Sequence, residues 1–336
     1  MDSISHIVLG AAIGEAVLGK KIGRKAMLWG AIADTIPDFD VFAESCNTHA
    51  QQLMVHRGIT HSFLFVVIIA PILGWLLHKG LNKTGVSWKS CTWLFFWGLL
   101  SHIVIDAMTC YGTGWFEPFS SYRVSFNTIF VADPFYTIPL LICVLIALIA
   151  KNASAKRVKW NITGLIISSI YLVFTMLNKW HINGKMKESI AKQNIDITEF
   201  VTTPTPLNNF LWMSYAKDSC GFWFGYYSVF DEANDIAFFH VDQKKELLSA
   251  YQNEPSVKLL KQFSKNYYCM NKINNDVYFN DIRFGQIGGW DKPTDAFVFS
   301  FKLNKDADNS MALDRSKFKG SYSDAISSLV TRIKGK

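Results

Sequence analysis

The chain has 336 residues, half of them hydrophobic and 18% charged, with 34 basic against 27 acidic side chains and a formal charge of +7. That much apolar content excludes a disordered chain. The cations fall in short clusters between apolar runs and come without zinc-finger spacing, an RNA-recognition signature or a long basic helix, so no nucleic-acid partner is expected.

The first apolar stretch follows Met1-Asp2 directly, lacks a basic lead and contains His6 and Glu15, so it reads as part of the mature protein and not as a cleaved signal. Ile7–Leu18 and Ala26–Ile36 are short and rich in Gly and Ala, the composition that lets helices approach closely. They predict a tight helical hairpin, either spanning or re-entrant. A span needs about 20 mostly apolar residues. Ser62–His78, Cys91–Ala107, Pro134–Ala150 and Trp160–Asn178 meet that requirement. The prediction is an α-helical polytopic membrane domain over residues 1–178, with four strong spans, or six crossings if the hairpin also spans.

Alternate loops are basic: Lys20, Lys21, Arg24 and Lys25, then Lys79, Lys83 and Lys89, then Lys151, Lys156, Arg157 and Lys159. The loops between them hold Asp38, Asp40, Glu44, Glu117 and Asp133 against Arg57 and Arg123. The positive-inside rule puts the basic loops in the cytoplasm and the acidic ones outside. This orientation is the same whether the hairpin crosses twice or not at all.

Beyond Asn178 the pattern becomes that of a soluble domain, residues 179–336, expected to be a small extracytoplasmic α+β domain. Ile182–Ile195 reads as a short amphipathic helix or linker. Asn209–Asp231 is aromatic-rich and broken near Asp218–Gly221, which predicts a hairpin. Asp276–Gly285 and Ala296–Leu303 read as strands, and Lys244–Gln252 and Ser323–Ile333 as helical. The six cysteines include no CxxC pair. Cys91 and Cys143 fall in apolar runs as small core residues, while an oxidising compartment permits a Cys220–Cys269 disulfide.

Residues able to do chemistry collect in the membrane half. His102 and Asp106 are four apart on an apolar helix, so both project from one face, where an imidazole and a carboxylate can bind one divalent cation. Alone the pair reads equally well as a buried hydrogen bond. On the predicted topology, however, His6, Asp38, Asp40, His61 and Asp106 all reach the same membrane face. Structural ion pairs would scatter in depth, whereas a metal site gathers ligands from several elements. The predicted ligands are His6, Asp38, His61, His102 and Asp106. Asp40 and His56 are candidates for a base or for partners of the ligands, and Arg57 and Arg123 for stabilising negative charge. Asp34 reads equally as a cap or pair within the hairpin, and Thr60 or Ser62 as the cap of the next helix. His78, His181 and His240 fall outside the site.

With these residues in view, the chain resembles the YdjM-type family of membrane-bound metal-dependent hydrolases. The resemblance rests on the opening MDSISH, on IPDFD, HRGITHS, SHIVID followed by YGT, PF with a nearby Arg, and DP. PTPLNNFLW and the segment Gly225-Tyr-Tyr-Ser-Val-Phe-Asp231 extend it into the soluble half. It implies an inner-membrane protein with hydrolase activity. A more distant similarity, in ligand order alone, is to zinc-dependent phospholipases C and single-strand nucleases. Those enzymes need a later His and an HxxxE or HxxxD pair. Nothing suitable follows Asp106 here, so a trinuclear cluster is not expected.

The combined expectation is a metal-dependent hydrolase, with zinc favoured by the mixed N/O ligands and a membrane lipid or lipid-linked phosphoester as substrate. The alternative is a non-catalytic ion-binding membrane protein, a transporter or envelope scaffold, whose C-terminal domain binds a partner. A transporter calls for polar residues through the membrane, and the last span offers mainly Thr, Ser and Tyr.

Overall fold

The computed structural model describes residues 1–44, 49–151, 154–232, 235–303 and 322–336. It divides into two compact units, one formed by Met1–Ala43, Val55–Met176 and Pro206–Asn208, the other by Glu44–Met54, Leu177–Thr205 and Asn209–Lys336.

The first unit is helical. Helix α1 (Ser3–Ile22) begins at Asp2, whose carboxylate accepts the Ser5 amide at 3.1 Å. It packs on α2 (Lys25–Thr35) through glycines at the closest approach. A Cβ on Gly14 would lie 2.0 Å from the Ala26 carbonyl oxygen, and one on Gly30 2.1 Å from that of Gly10. This is the close approach that the hairpin's composition predicts. Short helix α3 (Val41–Glu44) follows, and α4 (His49–Val55), next in the chain, falls almost wholly in the second unit. Helix α5 (Phe63–Gly80) starts at Ser62, whose hydroxyl accepts the Phe65 amide at 3.1 Å, and α6 (Trp88–Ala107) at Ser87. Helix α7 (Pro134–Ile149) starts at Asp133, and α8 (Ala155–Lys192) is the longest.

Three of these helices, α5, α6 and α8, are long and apolar enough to cross a membrane. The expected span at Pro134–Ala150 is instead a helix of 16 residues, about 24 Å at 1.5 Å per residue, against a hydrocarbon core of about 30 Å. Pro134 sets its start, and the helical backbone gives way to an extended residue at Ala150. The exposed surfaces of the spans are apolar: Val67, Ile72 and Trp75 on α5, Trp93 and Trp97 on α6, Ile166, Ile170 and Val173 on α8. Along α8, Arg157, Asn161, Ser168 and Thr175 are buried, while Lys156, Lys159 and Ser169 are exposed. Arg157, expected as a loop cation, is buried against Glu15 of α1, and Asn161 donates to the Ala12 carbonyl at 2.9 Å. Its cationic head therefore drops out of the loop-charge count, which Lys151, Lys156 and Lys159 still carry.

The second unit has two antiparallel sheets. The first runs β1 (Glu199–Pro204), β2 (Leu211–Lys217), β3 (Gly221–Ser228), β4 (Phe238–Asp242), and the second β5 (Tyr268–Ile273), β6 (Asp276–Gln286), β7 (Phe297–Leu303). The predicted hairpin is β2–β3, with Leu211 opposite Ser228 and Lys217 opposite Phe222. Leu211, Phe222, Phe224, Cys269, Ile282 and Phe297 form a cluster drawn from both sheets. Helices α9 (Pro255–Phe263) and α10 (Tyr322–Ile333) complete the unit, and Lys245–Tyr251 is 3-10 helix. Ile182–Ile195 is largely the end of α8, because Ile182, Met186 and Ile190 continue one buried stripe. The disulfide does not form. Cys220 is an exposed thiol in the β2–β3 turn, and Cys269 is buried within β5.

Candidate metal centre

Local sequence explains how each side chain reaches the centre. Pro37 sits in the first turn of a 3-10 segment, Ile36–Asp40, which takes over where α2 stops and presents Asp38 and Asp40. A second 3-10 turn, Ile59–His61, ends at the Ser62 cap and fixes His61 just ahead of α5. His102 and Asp106 share one buried face of α6. His6 enters from the first turns of α1.

Asp38, His61, His102 and Asp106 converge so that one ligand atom from each lies within 4.8 Å of the others. The Nε2 atoms of His61 and His102 are 3.0 Å apart. Asp38 Oδ1 lies 3.5 Å from His61 Nε2 and 3.4 Å from His102 Nε2. Asp106 Oδ2 lies 3.5 Å and 3.8 Å from the same two nitrogens. A tetrahedral ion with bonds of about 2.0–2.1 Å has ligand–ligand edges of about 3.3–3.4 Å. These separations bracket that value.

The remaining nitrogen of each histidine is spoken for. His102 Nδ1 donates to the backbone carbonyl of Asp34. His61 Nδ1 lies 3.0 Å from Thr60 Oγ1, which donates to Asp40 Oδ2 at 3.1 Å. Both rings thereby turn an Nε2 lone pair toward the common point, the arrangement by which neighbouring groups orient metal-ligating histidines. Asp106 Oδ2 is buried without a hydrogen bond, and Arg57 Nε, 2.9 Å away, forms an ion pair with it but lacks hydrogen-bond geometry. An orphaned carboxylate oxygen aimed at two imidazole lone pairs fits a cation.

His6 stands beside this quartet. Its ring stacks on His102 with centroids 3.8 Å apart, its Nδ1 faces Asp34 Oδ2 at 3.3 Å and its Nε2 faces Asp106 Oδ1 at 3.1 Å. With Asp34 and His102 it makes a second, smaller group of possible ligands. Asp34, fully buried, also accepts from Ser101 Oγ at 2.8 Å, so it meets both His6 and His102. Its spacing from the other acidic residues gives no hint of this, because the contact depends on how α2 crosses α6.

Asp40 accepts from His56 Nδ1 and from the Arg57 amide, each at 2.9 Å. Arg57 is buried in the left-handed region at φ 60°, its carbonyl accepting the Gly114 amide and its Nη1 donating to Thr109. Those contacts, with the Tyr111 ring 4.7 Å from its guanidinium carbon, hold a backbone conformation that a side chain normally avoids. Arg123, also buried, donates to the His56 carbonyl at 2.8 Å and lies 3.9 Å from Glu117.

Burial lowers the His61 imidazole to a pKa of about 3, against the opposing pull of Asp38, so the ring is neutral near pH 7. Burial opposes ionisation of Asp38, but the polar His102 and His61 rings beside it outweigh burial and keep the carboxyl below the usual carboxylate range. Asp40 is likewise lowered, with burial overcome by His56. Neutral imidazole and ionised carboxylate are the ligating forms. Of the quartet only Asp38 retains solvent contact, its side chain 21% exposed.

In the second unit His240 presents a contrast. Its Nε2 faces Asp218 at 2.9 Å and its Nδ1 faces Asp242 at 3.1 Å, beside a cavity of about 270 Å³; the carboxylates lie on opposite ring nitrogens, and no metal-sized group of ligand atoms converges there among the described residues.

The family model described as YdjM inner membrane protein matches residues 1–182. The chain is 28% identical over 218 residues to the uncharacterized protein YfhP of Bacillus subtilis (strain 168), an alignment covering 61% of this chain and 62% of that protein. It is 31% identical over 123 residues to the inner membrane protein YbcI of Escherichia coli (strain K12), covering 36% of this chain and 69% of that one. The chain thus spans less than two thirds of the B. subtilis relative. No solved structure matches.

Proposed function

The chain belongs to the YdjM inner membrane protein family, and from that premise we propose that it is a multi-pass, metal-dependent hydrolase acting at the extracytoplasmic membrane face. The convergence of Asp38, His61, His102 and Asp106 at tetrahedral ligand spacing carries this reading. The mixed imidazole and carboxylate set favours zinc. A bound divalent cation supplies Lewis acidity and lowers the pKa of coordinated water.

The chain's own residues do the rest. Asp34 and the Thr60–Asp40 pair fix the tautomers of His102 and His61. His6 bridges Asp34 and Asp106 and holds the Asp106 carboxylate with one oxygen toward the ligands. Arg57 fixes Asp106 from the other side. His56, partly exposed and bonded to Asp40, is the group placed to accept a proton at the solvent edge. Arg123 acts as a positioning residue by anchoring the His56 carbonyl. The orientation is supported by the basic loops, since Lys20, Lys21 and Arg24 lie at the end of α1 opposite His6.

A non-catalytic ion-binding scaffold is favoured by one observation: four protein ligands fill a tetrahedral ion, as structural sites do, whereas catalytic sites keep a position open. Asp38 decides between the two, being the ligand exposed to solvent and carried on a turn outside the helices. Metal analysis of detergent-purified protein, followed by an ester and phosphoester screen of wild type and Asp38→Ala, tests both readings. One metal per chain with turnover supports the hydrolase. One metal without turnover supports the scaffold. No bound metal in wild type overturns both.

A further inference from the structure

The loops that build the metal centre carry an apolar surface that the site itself does not use. Phe39 and Phe42 flank Asp40 on the segment that presents Asp38, with rings 5.8 Å apart. Ile59 precedes His61, and Phe116, Phe119 and Tyr122 lie on the segment leading to Arg123. All six are exposed, Phe42 at 76% and Phe119 at 84%. These segments are tied together. Gly114 N–H donates to the Arg57 carbonyl at 2.9 Å, Phe63 N–H to the Trp115 carbonyl at 3.0 Å, and the Phe63 ring meets Phe116 at 6.4 Å. Phe63 is the first residue of α5, so this surface runs without interruption into the exposed apolar face of a candidate span through Val67 and Ile68.

A water-facing loop gains nothing from so many large rings, whereas the boundary between hydrocarbon and water favours aromatic side chains. Accepting the metal-centre reading above, we propose that the loops around Phe42 and Phe119 are seated in the bilayer interface and that the centre receives its substrate from the bilayer. The substrate class is then a membrane amphiphile whose acyl chain stays among these rings while its polar headgroup reaches Asp38 and His56, the solvent-contacting members of the site. A water-soluble ester has no use for that surface.

Phe42→Cys and Phe119→Cys, each in a Cys46→Ser/Cys220→Ser background, are spin-labelled and reconstituted into phosphatidylethanolamine–phosphatidylglycerol vesicles. References are labels at Ile170, exposed on α8, and at Ile326, exposed on α10. The expected ratio of oxygen to nickel-chelate collisions at 42 and 119 exceeds that at Ile326 by at least about threefold and approaches that at Ile170. Ratios equal to that at Ile326 overturn the proposal. In a second arm, phospholipid with a diazirine in its acyl chain is photolysed in the same vesicles. Adducts on residues 36–42 and 113–122 that fall at least about fivefold in Phe42→Ser/Phe119→Ser, while those on α8 persist, support bilayer access. Adducts confined to the spans overturn it. Metal content is measured on the same preparations and reads the centre separately: interfacial labels on metal-free protein leave the interfacial seating standing but remove the hydrolase and with it the substrate class, and aqueous labels on metal-loaded protein overturn the seating and leave the metal centre.

Discussion

Helix α1 buries two ionisable residues, His6 and Glu15, and their surroundings have opposite characters. Glu15 meets one partner of opposite charge, Arg157, and the pair is self-neutralising. His6 faces Asp34 and Asp106, and the same cluster holds Asp38 and Asp40 beside His61; among the described residues its cations are Arg57 and the Met1 ammonium, both paired with Asp106, so four carboxylates face two cations. A buried ion pair is complete in itself. A buried excess of carboxylates with imidazole lone pairs facing one point is completed by a cation. Burial alone does not separate the two clusters. Charge balance and the direction of the lone pairs do.

The strongest way to break this contrast is to remove a ligand. His102→Ala and Asp106→Ala should reduce bound metal from stoichiometric to under about a tenth per chain, measured by elemental analysis, while Glu15→Gln leaves it unchanged. Equal loss in all three would merge the clusters. Next in size, Glu15→Ala strands the Arg157 guanidinium and should cost about 3–5 kcal/mol of stability, with much of the loss recovered in Glu15→Ala/Arg157→Met. Thermal unfolding in detergent reads this, and a neutral single variant would reduce the pair to an incidental contact. Smaller again, Asp34→Asn and Asp40→Asn leave all four ligands present and should weaken metal affinity about 10–100-fold in chelator competition.

A last effect is on the metal-free protein and is confined to acid pH. His61 has a folded pKa of about 3 against an ordinary 6.5, so in that window the unfolded chain binds more protons. Stability is therefore fully present above pH 6.5 and declines as pH falls toward 3, by about 1.4 kcal/mol per pH unit at most. His61→Gln should flatten the slope, and an unchanged slope would assign it to another group.

Much of this was legible in the sequence because it depended on local spacing. The i,i+4 relation of His102 and Asp106 and the IPDFD turn require no tertiary knowledge. The helix start at Ser62 follows from capping chemistry. Asp34 and His6 were harder, since their contacts depend on how α1 and α2 cross α6. The burial of Arg157 was hidden because a cation at a helix start looks the same in sequence whether it faces water or a carboxylate 142 residues away. In the second unit β1, β4, β5 and α9 escaped notice. EFVTTP carries a proline, and FFHVD and YCMNKI mix polar residues into short runs, so their pairing comes from neighbouring strands more than from their own pattern.

The packing of α1 on α2 bears on how variants of this protein should be read. A methyl group at Gly10 would come within 2.4 Å of the Gly30 carbonyl oxygen and 2.5 Å of the Asp34 β-carbon. Replacing a helical glycine by alanine ordinarily stabilises a helix by about 0.5–1 kcal/mol, which makes it a routine first step in consensus engineering. At position 10 the same step pushes on Asp34, whose carboxylate faces His6 and whose backbone carbonyl holds His102. A conservative-looking change a full helix turn from any ligand would present in the laboratory as a metal-binding defect, and a screen that scores only distance from the ligands would misfile it.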